Sequence, residues 1–170
     1  MFKERAYEII EAEYKDKKAE RTEVPYINHI KEGKIILEEI EATDEAHAAY
    51  YLHPLFQGAK ELQKTYQQPW IEEVSPQVLL LAMEYRNKAN RYLCAPNYDN
   101  LNCPSKIAFP LPEVKKMLIA DKIQNRKDFH LYHQSTHNHS EALNQYFENW
   151  LKLLEVTTQQ RDQLTKIISK

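Results

Sequence analysis

Pro25-Tyr26-Ile27-Asn28-His29-Ile30-Lys31-Glu32-Gly33 opens the stretch that decides the fold. Pro25 pre-sets the backbone for a helix start. Tyr26, Ile30, Gly33, Leu37 and Ile40 then recur at three- and four-residue steps, so one face of a helix meets a core with His29 beside it. Beyond it, Thr43 or Asp44 can cap a further helix in which Ala46, Ala49, Tyr50 and His53 repeat the spacing. Its small residues permit close helix packing. Two histidines on two packed helices are what a metal site needs, yet Pro54 stands where a partner carboxylate would make sense of the pair. Neutral imidazoles alone bind a hard or borderline divalent ion weakly. Pro54 lacks a backbone donor and crowds the carbonyl four residues back. The helix is therefore expected to kink or end near His53, with a second piece over 55–67.

Outward from this pair the chain reads as helices throughout. Gly occurs only twice, at 33 and 58, and period-2 alternation is hard to find, so an all-α single domain is expected. Helix one should run from about Phe2 to Lys18 on Ala6, Ile9, Ile10 and Tyr14. Ser75 and Pro76 start a helix over 77–93 with Leu80, Met83, Asn87 and Asn90 along one side. A Pro- and Asn-rich stretch over 94–112 reads as a long binding or covering loop. Val114, Met117, Leu118, Ile123 and Phe129 then mark a helix from Pro112 to about His133. Asn138 and Glu141 have capping-box spacing before a helix carrying Tyr146, Trp150, Leu151 and Leu154, and 158–168 closes the chain. Residues 1–93, the loop and 113–170 are expected to form one body.

Composition excludes several classes. Lys and Arg number 23 against 25 Asp and Glu, a net charge of -2 without long runs of one sign, so neither nucleic acid nor an anionic membrane is an expected partner. No apolar run approaches the roughly 20 residues that span a bilayer, and the N-terminus lacks a signal-peptide pattern, which points to the cytoplasm. Cys94 and Cys103 lack CxxC spacing and read as free thiols. His130, His133, His137 and His139 crowd into ten residues. They read either as a metal pair at i, i+3 or as imidazolium near a helix C-terminus. No phosphate-binding glycine loop, serine nucleophile motif or dinucleotide fingerprint is present.

Arg21-Thr22-Glu23-Val24-Pro25-Tyr26-Ile27-Asn28-His29, the Ala46 to His53 helix and the helix ending Asn90-Arg91-Tyr92-Leu93 carry a resemblance. In that order they are similar to the R-S-G-x-P-Y-I-x-H, A-x-L-L-H-D-x-x-E-D and L-A-D-R-x-x-N segments of HD-domain phosphohydrolases, closest to the hydrolase domain of guanosine tetraphosphate hydrolase/synthetases. The match covers roughly residues 2–93, and small stand-alone chains of this kind suggest a bacteriophage origin. The resemblance implies that Arg21 lies against a bound nucleotide and that His29 and His53 fall at metal-binding histidines. The paired aspartate is Pro54. Gln57 and Gly58 replace the Glu-Asp that positions water, and the final metal-binding aspartate, four residues before Asn90, is Arg86. Glu84 could stand in for it only if the helix were turned by about 200°.

An arginine at a metal position offers a planar fork for phosphate or carboxylate. The leading expectation is thus a catalytically degenerate HD-type protein, not an enzyme, with no metal and no cofactor. It would bind a nucleotide or other phosphorylated small molecule through Arg21, His29, His53, Arg86 and Asn90, with Gln57, Glu84 and Tyr50 as further candidates. A module that engages a protein partner on an HD scaffold is the alternative, and a phosphohydrolase with altered ligation through His29, His53 and Glu84 is the third reading.

Overall fold

The computed structural model describes residues 2–20, 22–93, 109–134 and 140–169, with the side chains of 91–93 left aside. Arg21, Cys94, Cys103, His137, His139 and the body of the expected loop lie outside them. The described residues form eight α-helices and no strand: α1 Phe2–Tyr14, α2 Ile27–Glu39, α3 Asp44–Gln57, α4 Ala59–Thr65, α5 Pro76–Leu93, α6 Pro112–Asp128, α7 Ser140–Leu153 and α8 Thr158–Ile167. The all-α expectation holds, and no described helix is long and apolar enough to cross a membrane.

Local chemistry sets most boundaries. Thr43 Oγ1 accepts from the Ala46 amide at 3.2 Å and Ser75 Oγ from the Val78 amide at 3.3 Å. Each cap satisfies an orphan helix donor and stabilises its helix by about 1 kcal/mol. Helix one stops four residues short of expectation, at Tyr14. Lys17 and Lys18 turn away so that Lys18 bridges Pro25 and the Lys17 carbonyl accepts from the Tyr26 amide at 3.0 Å.

Helix α3 is the centre of the molecule, packed by α1, α2, α5 and α6. From Ala46 to His53 every residue is buried. Gly33 lets α2 approach it: a Cβ there would lie 2.0 Å from the Tyr50 hydroxyl. That hydroxyl donates to the His29 carbonyl at 3.3 Å, so the close approach ties the backbone of one histidine to the helix of the other.

The structure refines three expectations. Helix α3 runs through Pro54 to Gln57 and ends at Gly58. Helix α5 buries Val78, Leu81, Ala82, Tyr85 and Ala89, leaving Leu80 and Asn87 exposed, so its core face is the more continuous apolar one. Helix α6 ends at Asp128 and passes into a single π-helical turn, Phe129–His133. Buried on almost every side, α6 packs against α2, α3, α5, α7 and α8. Its Glu113 carboxylate holds the Thr43 amide at 3.0 Å, joining the start of α6 to the start of α3.

Candidate metal centre

Where α2, α3 and α6 meet, His29 and His53 converge with a third residue, Asp121. One ligand atom from each lies within 4.8 Å of the others. His29 Nε2 is 3.3 Å from His53 Nε2 and 3.4 Å from Asp121 Oδ1, while His53 Nε2 is 3.9 Å from the same oxygen. His53 and Asp121 are buried, whereas His29 is partly exposed. The carboxylate that the chain lacks beside His53 thus comes from another helix. The absence of an acid facing the histidines, the premise of the metal-free expectation, does not hold.

The outer hydrogen bonds fix which ring nitrogen faces inward. The Gln124 amide nitrogen donates to Glu32 Oε2 at 3.0 Å and Asp128 Oδ2 at 2.7 Å. Two carboxylates hold that end, so Oε1 is the end that meets His29 Nδ1, at 2.6 Å, and Nδ1 must carry the proton. His53 Nδ1 lies 2.6 Å from the Tyr50 carbonyl, which only accepts, so it too is protonated. A neutral imidazole has one N–H. His53 therefore presents its Nε2 lone pair inward, and His29 does the same in its neutral form, each toward the other and toward a carboxylate oxygen. Three acceptors facing one another without a hydrogen between them are repulsive until a cation, a proton or a metal ion, sits among them.

Electrostatics keep His53 and Asp121 in ligating form. Burial, then the neighbouring His29, push the His53 imidazole down to about 3, so it is neutral across the physiological range. Burial alone would raise the Asp121 carboxyl, but Lys122, His29 and His53 outweigh it and hold it below the usual range. Lys122 Nζ pairs with Asp121 Oδ2 at 2.7 Å and lies 5.2 Å from the centroid of the Trp150 ring and 5.6 Å from that of Tyr146. Burial would lower this ammonium, yet Asp121 raises it above its ordinary value. The pair leaves Oδ1 directed at the histidines, carboxylate charge reduced but oxygen available.

The three atoms border a cavity of about 640 Å³, also lined by Tyr14, Tyr26, Phe129 and Tyr132 and reached by Gln57 and Pro54. The rings of Tyr14 and Tyr26 lie 5.6 Å apart between centroids, tilted by 54°. Other expected site residues lie elsewhere. Arg86, on α5, does not line this cavity. Its Nε is buried with no hydrogen-bond partner among the described residues. Glu84 accepts from the Leu111 amide at 3.0 Å and faces Lys88, away from the histidines. Asn90 donates to the Gln57 carbonyl at 2.9 Å, fastening the end of α3 to α5. Tyr50 supports the site through its carbonyl and through its ring, 4.9 Å from that of His53. His130 Nδ1 meets Gln134 Oε1 at 2.6 Å, and His133 borders the cavity.

Asp121 was legible by one signal. Ile119-Ala120-Asp121-Lys122-Ile123-Gln124-Asn125 places Ala-Asp, a basic residue and Asn at the spacing of L-A-D-R-x-x-N, whereas the segment ending in Asn90 carries only the Asn. No family model, curated protein or solved structure matches this chain.

Proposed function

We propose that this protein binds one divalent metal ion through His29 Nε2, His53 Nε2 and Asp121 Oδ1 and uses it to hydrolyse a phosphorylated, nucleotide-sized molecule held in the adjoining cavity. The observation that carries the reading is the convergence of His29 Nε2, His53 Nε2 and Asp121 Oδ1, with the outer nitrogen of each ring held by an acceptor. Three protein ligands with a cavity on one side match the arrangement in which a metal keeps positions for water and substrate. A bound metal would lower the pKa of its water and neutralise charge on a phosphoryl oxygen. The faces of Tyr14, Tyr26, Phe129 and Tyr132 suit a planar base.

The HD-domain relationship is part of this proposal. His29, His53 and Asp121 follow in the order of that family's ligands, and the Ala120–Asn125 spacing supports the last of them. Pro54 removes one carboxylate from the set. With two nitrogens to one oxygen, the centre should favour Zn²⁺ or Co²⁺ over Mn²⁺. A second reading, binding of a metal-nucleotide complex without turnover, is favoured by Gln57, which borders the cavity with an amide where a water-positioning acid would stand.

Metal analysis after dialysis against Zn²⁺ or Co²⁺ is expected to give close to one equivalent. The protein should also release phosphate or pyrophosphate from a member of a nucleotide panel, with loss of release on chelation. One equivalent with no release, but with a nucleotide-dependent rise in melting temperature, selects the binding reading. Occupancy at 100 times Kd would stabilise by roughly 2.7 kcal/mol. Metal content at background would overturn both.

A further inference from the structure

Residue 54 is the interior position at which α3 has no amide hydrogen to give. In an α-helix the amide of residue i donates to the carbonyl of i−4, so the proline leaves the Tyr50 carbonyl without its ladder partner. A buried carbonyl left unpaired is costly. Helix α3 nevertheless continues to Gln57, and the donor that reaches the Tyr50 carbonyl, at 2.6 Å, is His53 Nδ1. We infer that Pro54 is a positioning residue of the metal centre: by withholding its N–H it gives the Tyr50 carbonyl to His53 Nδ1 and so holds the His53 Nε2 lone pair toward His29 and Asp121.

Two consequences make this more than a tolerated proline. A histidine ligand is commonly oriented by an acceptor on its outer nitrogen, and here that acceptor is created by the residue that follows it in the chain. His29 receives the same service from Gln124 on another helix, so the two rings are locked by unrelated means into the same tautomer. The position that might have supplied an oxygen ligand supplies orientation instead. This rests on the metal reading for its purpose, but the tautomer it predicts belongs to the metal-free protein.

Pro54→Ala restores the amide hydrogen and lets it compete for the Tyr50 carbonyl. Histidine ¹⁵N spectra of the metal-free protein at pH 8 should show His53 as the Nδ1–H tautomer in the wild type and a populated Nε2–H tautomer in the variant. Zn²⁺ affinity should fall about tenfold or more, the scale of losing an orienting partner. The melting temperature should hold or rise, since an interior proline costs helix stability, and that separates positioning from structural support. Pro54→Ser, which also restores the N–H, serves if the alanine variant melts lower than the wild type. An unchanged Nδ1–H tautomer in a folded variant overturns the inference, as does an unchanged Zn²⁺ affinity where the wild type binds. If the wild type takes up no Zn²⁺, the metal reading fails alone, and the tautomer comparison still decides the role of Pro54.

Discussion

His29 and His53 stand 24 residues apart and meet in the core, while His130 and His133 stand three apart and form no such centre among the described residues. The first pair has its outer nitrogens engaged by acceptors and its inner nitrogens aimed at a carboxylate. In the second region, His130 spends Nδ1 on Gln134 and packs its ring 5.4 Å from Phe129. Its Nε2 is buried with no partner among the described residues, and no acid converges on it there. Density of histidine in sequence is therefore a poor guide to ligation. What matters is whether the fold fixes the far nitrogen and brings an oxygen to the near one.

The largest effect that tests this contrast is at Asp121. Asp121→Asn keeps the shape but removes the charge and offers an N–H to two lone pairs. Metal uptake should fall by at least about a hundredfold. Stability should fall as well, because Lys122 loses its counter-ion inside the core; breaking a buried pair in this way costs about 3–5 kcal/mol. Metal analysis and urea unfolding read the two effects. Retention of a full metal equivalent in the folded variant would end the distinction between the two histidine regions.

Why that aspartate escaped a reading of the sequence is instructive. Periodicity reveals apolar faces, and with the cap signal at Thr43 it placed the starts of α1, α2 and α3 close to where they lie. Helix α6 buries Asp121, Lys122, Gln124 and Lys127 together with its apolar residues. Polar positions that look like a solvated face are in fact paired inside, Lys127 with Glu32 at 2.6 Å and Lys122 with Asp121. Only spacing could flag Asp121, and Asn90, on another helix, drew the motif to Arg86. Pro54 misled for a related reason: helix breaking is expected from the lost backbone bond, and here a side chain on the preceding residue makes the bond instead. Both errors concern polar groups satisfied at a distance or out of pattern, which no local rule records.

A smaller effect concerns acid. His53 titrates near 6.5 when unfolded, but burial and His29 lower it to about 3 in the fold. Above pH 6.5 both states are neutral and the group contributes no pH dependence. Between 6.5 and 3 only the unfolded chain takes up this proton, so stability is lost as pH falls, by up to about 1.4 kcal/mol per pH unit. Asp121, held below its usual range, adds loss of the same sign below about pH 4. His53→Gln should flatten the slope between pH 6 and 4.5 in urea titrations, while His130→Gln should leave it unchanged. Equal slopes for wild type and His53→Gln would mean that the fold does not keep His53 neutral.

The smallest expected effect is at His130 itself. Its hydrogen bond to Gln134 lies at the surface, where such a bond contributes at most about 1 kcal/mol, and its ring contact with Phe129 is at the edge of the core. His130→Ala should therefore leave the Zn²⁺ or Co²⁺ equivalent intact and lower the unfolding free energy by less than about 1 kcal/mol. The Co²⁺ visible spectrum gives the stricter check, because it reports the ligand set directly and should superimpose on that of the wild type. A lost equivalent or an altered spectrum would place His130 in the coordination sphere. The crowded histidines would then be a metal centre despite their spread outer contacts, and the rule drawn from the contrast would have to be given up.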